Sequence, residues 1–323
     1  MNNLKKIGLT AIAASLATVS AHAADFSVTG SASMSYTSNS IVGIGGPANG
    51  NPWAMSDTVN FAASGELDNG WTVSYTMGLD GSATAAGAAF EDRTLAIGLG
   101  DMGTITLMGQ DGSSVVGSMD DKLPTAYEES WYASGGPGTG TTVGNNAWKY
   151  SYSGVEGLVV EASYVPSSGG AKDGSTDAGI TYSGIDGLTI GIAAGTDQTA
   201  STPASNADVD EQAMFITYAY DAFTFGYQSN ESDSVTAGAD SEYSGFAVAY
   251  AVSDDISVSI AQTEIEREGT STSTDQTTEH TAISASYTMG SMAIKATRAD
   301  VENAGGHQNN DGEAYYIELG FTF

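Results

Sequence analysis

Apolar and small polar side chains alternate along almost the whole chain, and that period of two commits it to sheet. In "FSVTGSASMSY" (26–36), Phe26, Val28, Gly30, Ala32, Met34 and Tyr36 fall on one face, and Ser27, Thr29, Ser31, Ser33 and Ser35 on the other. "WTVSYTMGL" (71–79) divides in the same way, with Trp71, Val73, Tyr75, Met77 and Leu79 against Thr72, Ser74, Thr76 and Gly78. A helix needs apolar residues every three or four positions, and that signal is nearly absent. The 41 glycines against 6 prolines suit twisted strands and frequent turns.

The alternation predicts sixteen strands, at about 25–37, 55–65, 70–80, 89–99, 103–111, 144–153, 157–166, 175–183, 187–196, 209–220, 222–231, 241–252, 255–267, 278–288, 291–302 and 312–323. Short turns such as "GELDNG" (65–70), "SGVEG" (153–157) and "MGS" (289–291) alternate strictly with longer polar stretches. An even strand number with one trimmed and one elaborated end is the pattern of an up-and-down barrel. "YSGVEGL" (152–158) recurs as "YSGIDGL" (182–188), which reads as two successive hairpins of one meander.

The N-terminal "MNNLKKIGLTAIAASLATVSAHA" has a basic start, an apolar run and a small-x-small end at Ala21-His22-Ala23. It reads as a secretory signal peptide over 1–23, leaving 24–323 as the mature domain. That chain would carry 39 acidic and 7 basic residues, a formal charge of −32. Such a charge repels nucleic acid. There is no cysteine, hence no disulfide framework. No second apolar stretch approaches the roughly 20 residues of a membrane helix.

Alternation fits a soluble sandwich as well as a membrane barrel, so the polar face has to decide. It is mostly Ser, Thr, Gly and Ala, which leave an open, hydrated interior. Trp71, Tyr152, Tyr182, Tyr220, Phe223, Tyr250, Tyr287 and Phe323 sit at the short-turn ends, and Tyr36, Tyr164, Tyr227 and Tyr243 toward the long-loop ends. Two aromatic rings at fixed heights are what two membrane interfaces select. Strands of about ten residues cross a hydrocarbon core when tilted, and closure pairs every backbone group there. The expected fold is therefore all-β, a 16-stranded antiparallel transmembrane β-barrel with short turns at one end and longer loops at the other.

Taken together, the signal, the sixteen strands, the alternating connections, the long third loop and the terminal aromatic resemble the general diffusion porins of Gram-negative outer membranes, in the style of the alphaproteobacterial ones. The resemblance implies a water-filled channel in the outer membrane for passive diffusion of small hydrophilic solutes and ions, a homotrimer, and a third external loop that narrows the barrel. Its partners would be outer-membrane lipid, lipopolysaccharide and the barrel-assembly machinery. The loop at 112–143 is the longest connection, at 32 residues. The pore-constriction residues expected there are Asp111, Asp120, Asp121, Glu128 and Glu129, with Lys122 as a lone base and Trp131 and Tyr132 as anchors. On the lumen parity fall Lys149, Lys295, Glu161, Glu318 and Asp80, the expected pore wall. Arg93 and Arg298 share the parity of apolar neighbours near loop ends. Carboxylates in the pore favour cations, so cation preference is expected. Gly30 and Ala32, small and outward-facing, are the expected trimer interface.

The closing "YYIELGFTF" reads as the sixteenth strand, with Tyr315, Ile317, Leu319, Phe321 and Phe323 toward lipid. In the family resembled, such an ending is the signal read by the assembly machinery. No catalytic residue or cofactor is expected: His280 and His307 lack a nucleophile context, and no G-x-S-x-G elbow, P-loop or metal-ligand spacing is present. A divalent cation such as Ca2+ in the acidic loops, through Asp120 and Asp121, is left open, although no EF-hand spacing occurs. The alternative reading is a secreted acidic β-rich adhesin or surface-structural protein, which would need neither the aromatic rings nor the terminal strand.

Overall fold

The computed structural model describes residues 25–41, 51–81, 90–110, 112–132, 135–136, 142–143, 146–167, 174–198, 208–235, 240–268 and 276–323. The signal segment expected over 1–23 lies outside the described residues.

In chain order the strands are β1 (Asp25–Asn39), β2 (Trp53–Glu66), β3 (Thr72–Asp80), β4 (Phe90–Gly98), β5 (Thr104–Met108), β6 (Gly112–Ser113), β7 (Thr142–Val143), β8 (Ala147–Val155), β9 (Leu158–Val165), β10 (Ser175–Ile185), β11 (Leu188–Asp197), β12 (Val209–Tyr220), β13 (Phe223–Ser234), β14 (Ser241–Ala251), β15 (Ile256–Arg267), β16 (Gln276–Met289), β17 (Met292–Glu302) and β18 (Gly312–Thr322). Among the described residues, sixteen of these form one closed barrel, each antiparallel to its neighbours in sequence order, with β5 beside β8 and β18 beside β1. β6 and β7 make a separate two-stranded ribbon. The expected strands match to within a few residues, because each boundary is marked by a break in the alternation.

The two faces separate as the pattern requires. Ile180, Ile192, Ile216, Ile260, Ile283 and Ile294 are exposed on the outer surface. The residues between them point inward, and many are buried there by a segment described below. In a bilayer the outer face is covered by lipid, and its exposed apolar side chains satisfy the solvent rather than violate it. Tyr243 departs from the expectation. It lies on the inner face, 3% exposed, and packs with Leu123, Ala247, Ala261 and Ile265, so it is no part of an outer aromatic ring. Arg93 sits where the β3–β4 register shifts between Thr76 and Gly78, next to Asp92 at φ 50°. That bulge is what lets a base interrupt an apolar face. Arg298 is outward and paired with Asp300 Oδ1 at 2.8 Å and Glu313 Oε1 at 2.9 Å.

Closure is made by the chain's two ends. Ala32 opposes Phe321, Met34 opposes Leu319 and Tyr36 opposes Ile317. Beyond the last strand residue, Gly30 N donates to Phe323 O at 2.8 Å and Phe323 N to Gly30 O at 2.9 Å. The Phe323 ring lies on Gly30, so a Cβ there would meet Cζ at 2.5 Å. The Phe323 ring thus covers Gly30 from within the chain. Ala32 is half-buried.

The repeated heptapeptide is a repeated bulged hairpin. The β8–β9 register shifts between Tyr152 and Val155, and the β10–β11 register between Tyr182 and Ile185. Each turn closes on a glycine in the left-handed region, Gly157 at φ 71° and Gly187 at φ 74°. Gly187 O accepts from Ala219 N of the next strand at 2.8 Å, and a side chain at Gly187 would strike the Ala219 carbonyl. Replacing Gly187 with Val should therefore destabilise the barrel by about 1–2 kcal/mol or more. The temperature at which the folded band converts to the unfolded one in semi-native electrophoresis should fall, and an unchanged temperature would show that the turn tolerates a Cβ.

Candidate functional site

The chain leaving β5 turns inward after β6 instead of continuing as an outer loop. The reason is local. "SSVVGSM" (113–119) carries three apolar side chains that a solvated flap would leave in water. Val115 and Val116 are fully buried and Met119 nearly so, against the inward-facing Ala193, Ala213 and Phe215 of β11 and β12. Burying each of these side chains is worth about 1.5–3 kcal/mol relative to exposure. A single tight turn forms here, with Ser118 N donating to Ser114 O at 2.9 Å and Met119 N to Val116 O at 2.9 Å.

Inward-facing polar side chains of the wall then hold the segment by its backbone, one strand after another. Asp177 of β10 accepts from Val116 N at 3.0 Å and from Ser163 Oγ of β9. Gln228 of β13 is fully buried; its carbonyl accepts from Lys122 N at 2.6 Å, and its amide donates to Met119 O at 3.3 Å and to Asp120 O. Asn230 Nδ2 donates to Asp120 O at 3.0 Å. Ser259 Oγ accepts from Ala126 N at 2.8 Å and Thr297 Oγ1 from Glu128 N at 3.2 Å. Ser130 Oγ lies 2.7 Å from Thr263 Oγ1, which neighbours His280 Nδ1 at 3.3 Å. Leu123 enters the cluster around Tyr243, with Trp131 packed against it. Gly245 and Gly226 are bare where Leu123 and Pro124 approach the wall.

The segment ends on an aromatic stack. Tyr127 stacks on Tyr316 of β18, with centroids 5.4 Å apart and planes 19° apart, and Tyr132 is tilted at 45° to the same ring with centroids 4.8 Å apart. Residues 114–132 therefore run along the inner wall from β9 and β10 to β18.

Four of the carboxylates expected at a constriction sit on this segment. Asp120 is pushed up to about 6, first by burial and then by Asp121, with Lys122 opposing. Glu129 is pushed up to about 7 by burial and by Asp121. Burial also raises Asp121 and Glu128, with Lys122 opposing at Asp121 and a hydrogen bond from Tyr127 opposing at Glu128. The Tyr127 and Tyr132 phenols are raised as well, first by burial and then by Tyr316, so they stay neutral at physiological pH. The fifth expected carboxylate, Asp111, lies outside the described residues.

Of the expected wall residues, Lys149 pairs with Glu161 at 3.5 Å and Lys295 with Glu318 at 3.4 Å. Asp80 is half-buried at the end of β3, opposite Thr58. Among the described residues, no three His, Asp or Glu side chains converge as metal ligands. His280 is a buried wall residue, 1% exposed, beside the Ser130–Thr263 anchor. Sequence reasoning missed Asp177, Gln228, Asn230, Ser259, Thr263 and Thr297, together with Ser284, whose Oγ donates to Glu128 O at 3.4 Å; these seat the segment. Their signal was present: Gln228 and Asn230 are bulky amides on a face otherwise built from small residues.

A family model described as Gram-negative porin matches residues 8–323. Among solved structures, the chain is similar to an anion-selective porin from Comamonas acidovorans (TM-score 0.70, 13% identity, covering 93% of this chain and 100% of that one). It is similar to the outer-membrane expressed OmpT of Vibrio cholerae (TM-score 0.70, 11% identity, 94% and 99%) and to a mutant Rh. blastica porin (TM-score 0.66, 16% identity, 93% and 100%). No curated protein sequence matches it.

Replacing Gln228 with Leu removes one acceptor and one donor from the seat and leaves the Lys122 amide without its partner, a cost of about 1–3 kcal/mol. Hydrogen exchange at Met119–Lys122 should accelerate by about tenfold or more while the β12–β13 amides stay protected. Equal exchange in both proteins would show that the wall does not hold the segment.

Proposed function

The chain belongs to the Gram-negative porin family and resides in the outer membrane, and from that premise we propose that its barrel is a water-filled, passive channel for small hydrophilic solutes and ions, constricted by the 112–143 loop and selective for cations. Family and fold indicate a channel rather than an enzyme, and the adhesin alternative does not account for the family match.

The observation that carries the cation preference is the charge balance along the inner wall. Asp120, Asp121, Glu128 and Glu129 lie on one short segment with a single base, Lys122. The wall bases Lys149 and Lys295 are each matched by a carboxylate. A hydrated cation crossing here meets uncompensated negative charge in a medium of lower dielectric than bulk water, and an anion meets repulsion. The Comamonas porin is anion-selective, so a shared barrel does not set the sign of selectivity; the side chains of the narrow zone do. External loop charges contribute less, because salt screens them beyond about 8–10 Å.

The trimer, the outer-membrane lipid and lipopolysaccharide around it, and the barrel-assembly machinery belong to the same reading. One similar structure is a trimer form of OmpT. β5 spans only five residues, short of the roughly 9–11 that cross a bilayer, so protein cover from a second subunit suits this flank better than lipid. The segment 1–23 is read as the cleaved signal, and Tyr315, Ile317, Leu319, Phe321 and Phe323 as the assembly signal.

Reversal potentials across planar bilayers in a KCl gradient test the selectivity; preference for chloride at neutral pH overturns it. The pH dependence follows from the raised carboxylates. Asp120 and Glu129 take up protons as pH falls through about 7 to 6 rather than near 4, and each proton removes a negative charge from the pathway. Cation preference should therefore weaken between pH 7.5 and 5, and Asp120→Asn with Glu129→Gln should show the weakened preference already at pH 7.5.

A further inference from the structure

One group on the inner wall is not needed for a plain cation filter. Tyr127, Tyr132 and Tyr316 stack together where the segment meets β18, beside Glu128 and Glu318. The Lys295 ammonium stands 5.1 Å from the Tyr127 ring centroid and 3.4 Å from Glu318 Oε1. A cation is thus already held here by a π face on one side and a carboxylate on the other. Tyr132 is the open member of the stack, 45% exposed, and Glu128 is held next to Tyr316 through its N–H on Thr297 Oγ1, since Thr297 pairs with Tyr316 across β17 and β18.

We infer that this tyrosine stack is a binding site for organic ammonium solutes, which rest on the open Tyr132 ring with their charge toward Glu128, Glu318 being held by Lys295. The inference rests on the cation-preferring reading above and deepens it. The chemistry separates organic from inorganic cations. A potassium ion keeps most of its hydration and passes through the field of the carboxylates. An alkyl or aryl ammonium is weakly hydrated, carries apolar surface and gains both from the ring face and from the adjacent charge. An anion is repelled by the same carboxylates, and a neutral aromatic gains the stacking alone. Lys295 acts as a tethered occupant of the neighbouring ring face; its four-carbon stem lets it stay on Glu318 when a solute arrives.

The test is block of potassium current through the full-length protein in planar bilayers, with phenyltrimethylammonium as the probe and benzyl alcohol as the neutral control. Phenyltrimethylammonium should interrupt the current in a concentration-dependent way, and benzyl alcohol should not. Tyr132→Leu should weaken the block by about tenfold. Tyr132→Phe, which keeps the π face and loses only the hydroxyl, should retain it. Equal block in wild type and Tyr132→Leu overturns the site, as does equal weakening in Tyr132→Phe or equal block by benzyl alcohol. The reversal potential of the wild-type channel, measured in the same bilayers, reads the underlying reading separately. Chloride preference there fails that reading, whereas failed block with potassium preference intact fails this site alone.

Discussion

An unpaired backbone N–H or C=O in hydrocarbon costs several kcal/mol, so a sheet can live in a bilayer only if it has no edge. Everything else in this structure depends on the seam that removes the edge, between β1 and β18. The seam is built from the first and last strands of the barrel. Nine residue pairs join the strands, from Ser31 with Thr322 to Asn39 with Ala314. The ladder then gains one more reciprocal pair of hydrogen bonds, between Gly30 and Phe323. The Phe323 ring needs the bare Cα of Gly30 beneath it. A terminal aromatic and an N-terminal glycine are thus one device, and the barrel closes where they meet.

Closure leaves an interior too wide for wall side chains to fill, and the chain answers with its third loop. Small polar wall residues do two jobs there. On the β1–β4 side they face the open lumen. On the β10–β18 side the same Ser, Thr, Asn and Gln side chains become hydrogen-bond partners for a segment that has no strand of its own to pair with. Asp177, Gln228, Asn230, Ser259 and Thr297 each meet a backbone group of residues 116–128. This meets the requirement that buried backbone groups be paired. It also fixes where the carboxylates and tyrosines of the loop stand relative to Lys295 and Glu318.

The strands were legible because their alternation is strict and each end is marked. The inward course of the loop is expected only through the family resemblance, for a definite reason. Loop composition says only that a segment is long, and Val115, Val116 and Met119 lack a periodic pattern that would name their partner. What would have named it lay on the wall. Phe215 and Tyr243 share a face with Gly, Ala and Ser, and large apolar groups on an otherwise hydrated face imply something packed against them. Tyr243 has the height of the outer ring but the inner parity, and height along a strand is easier to read than parity near a strand end. Gly30 reads as an interface position by its size, while Phe323, whose ring lies on it, is almost the whole sequence away and becomes visible only once the barrel closes.

The pathway through the barrel is set by the docking of residues 114–132 against the wall, and the chain has no cysteine to confuse a cross-linking test. Ser130 Oγ and Thr263 Oγ1 are 2.7 Å apart, near enough for paired cysteines at these positions to reach disulfide geometry. In Ser130→Cys/Thr263→Cys protein, folded in detergent and mildly oxidised, both thiols should be lost to maleimide labelling and the peptide joining the two positions should be recovered. Full labelling of both thiols in the folded, oxidised protein would contradict the docked loop, and with it the proposed narrowing of the channel.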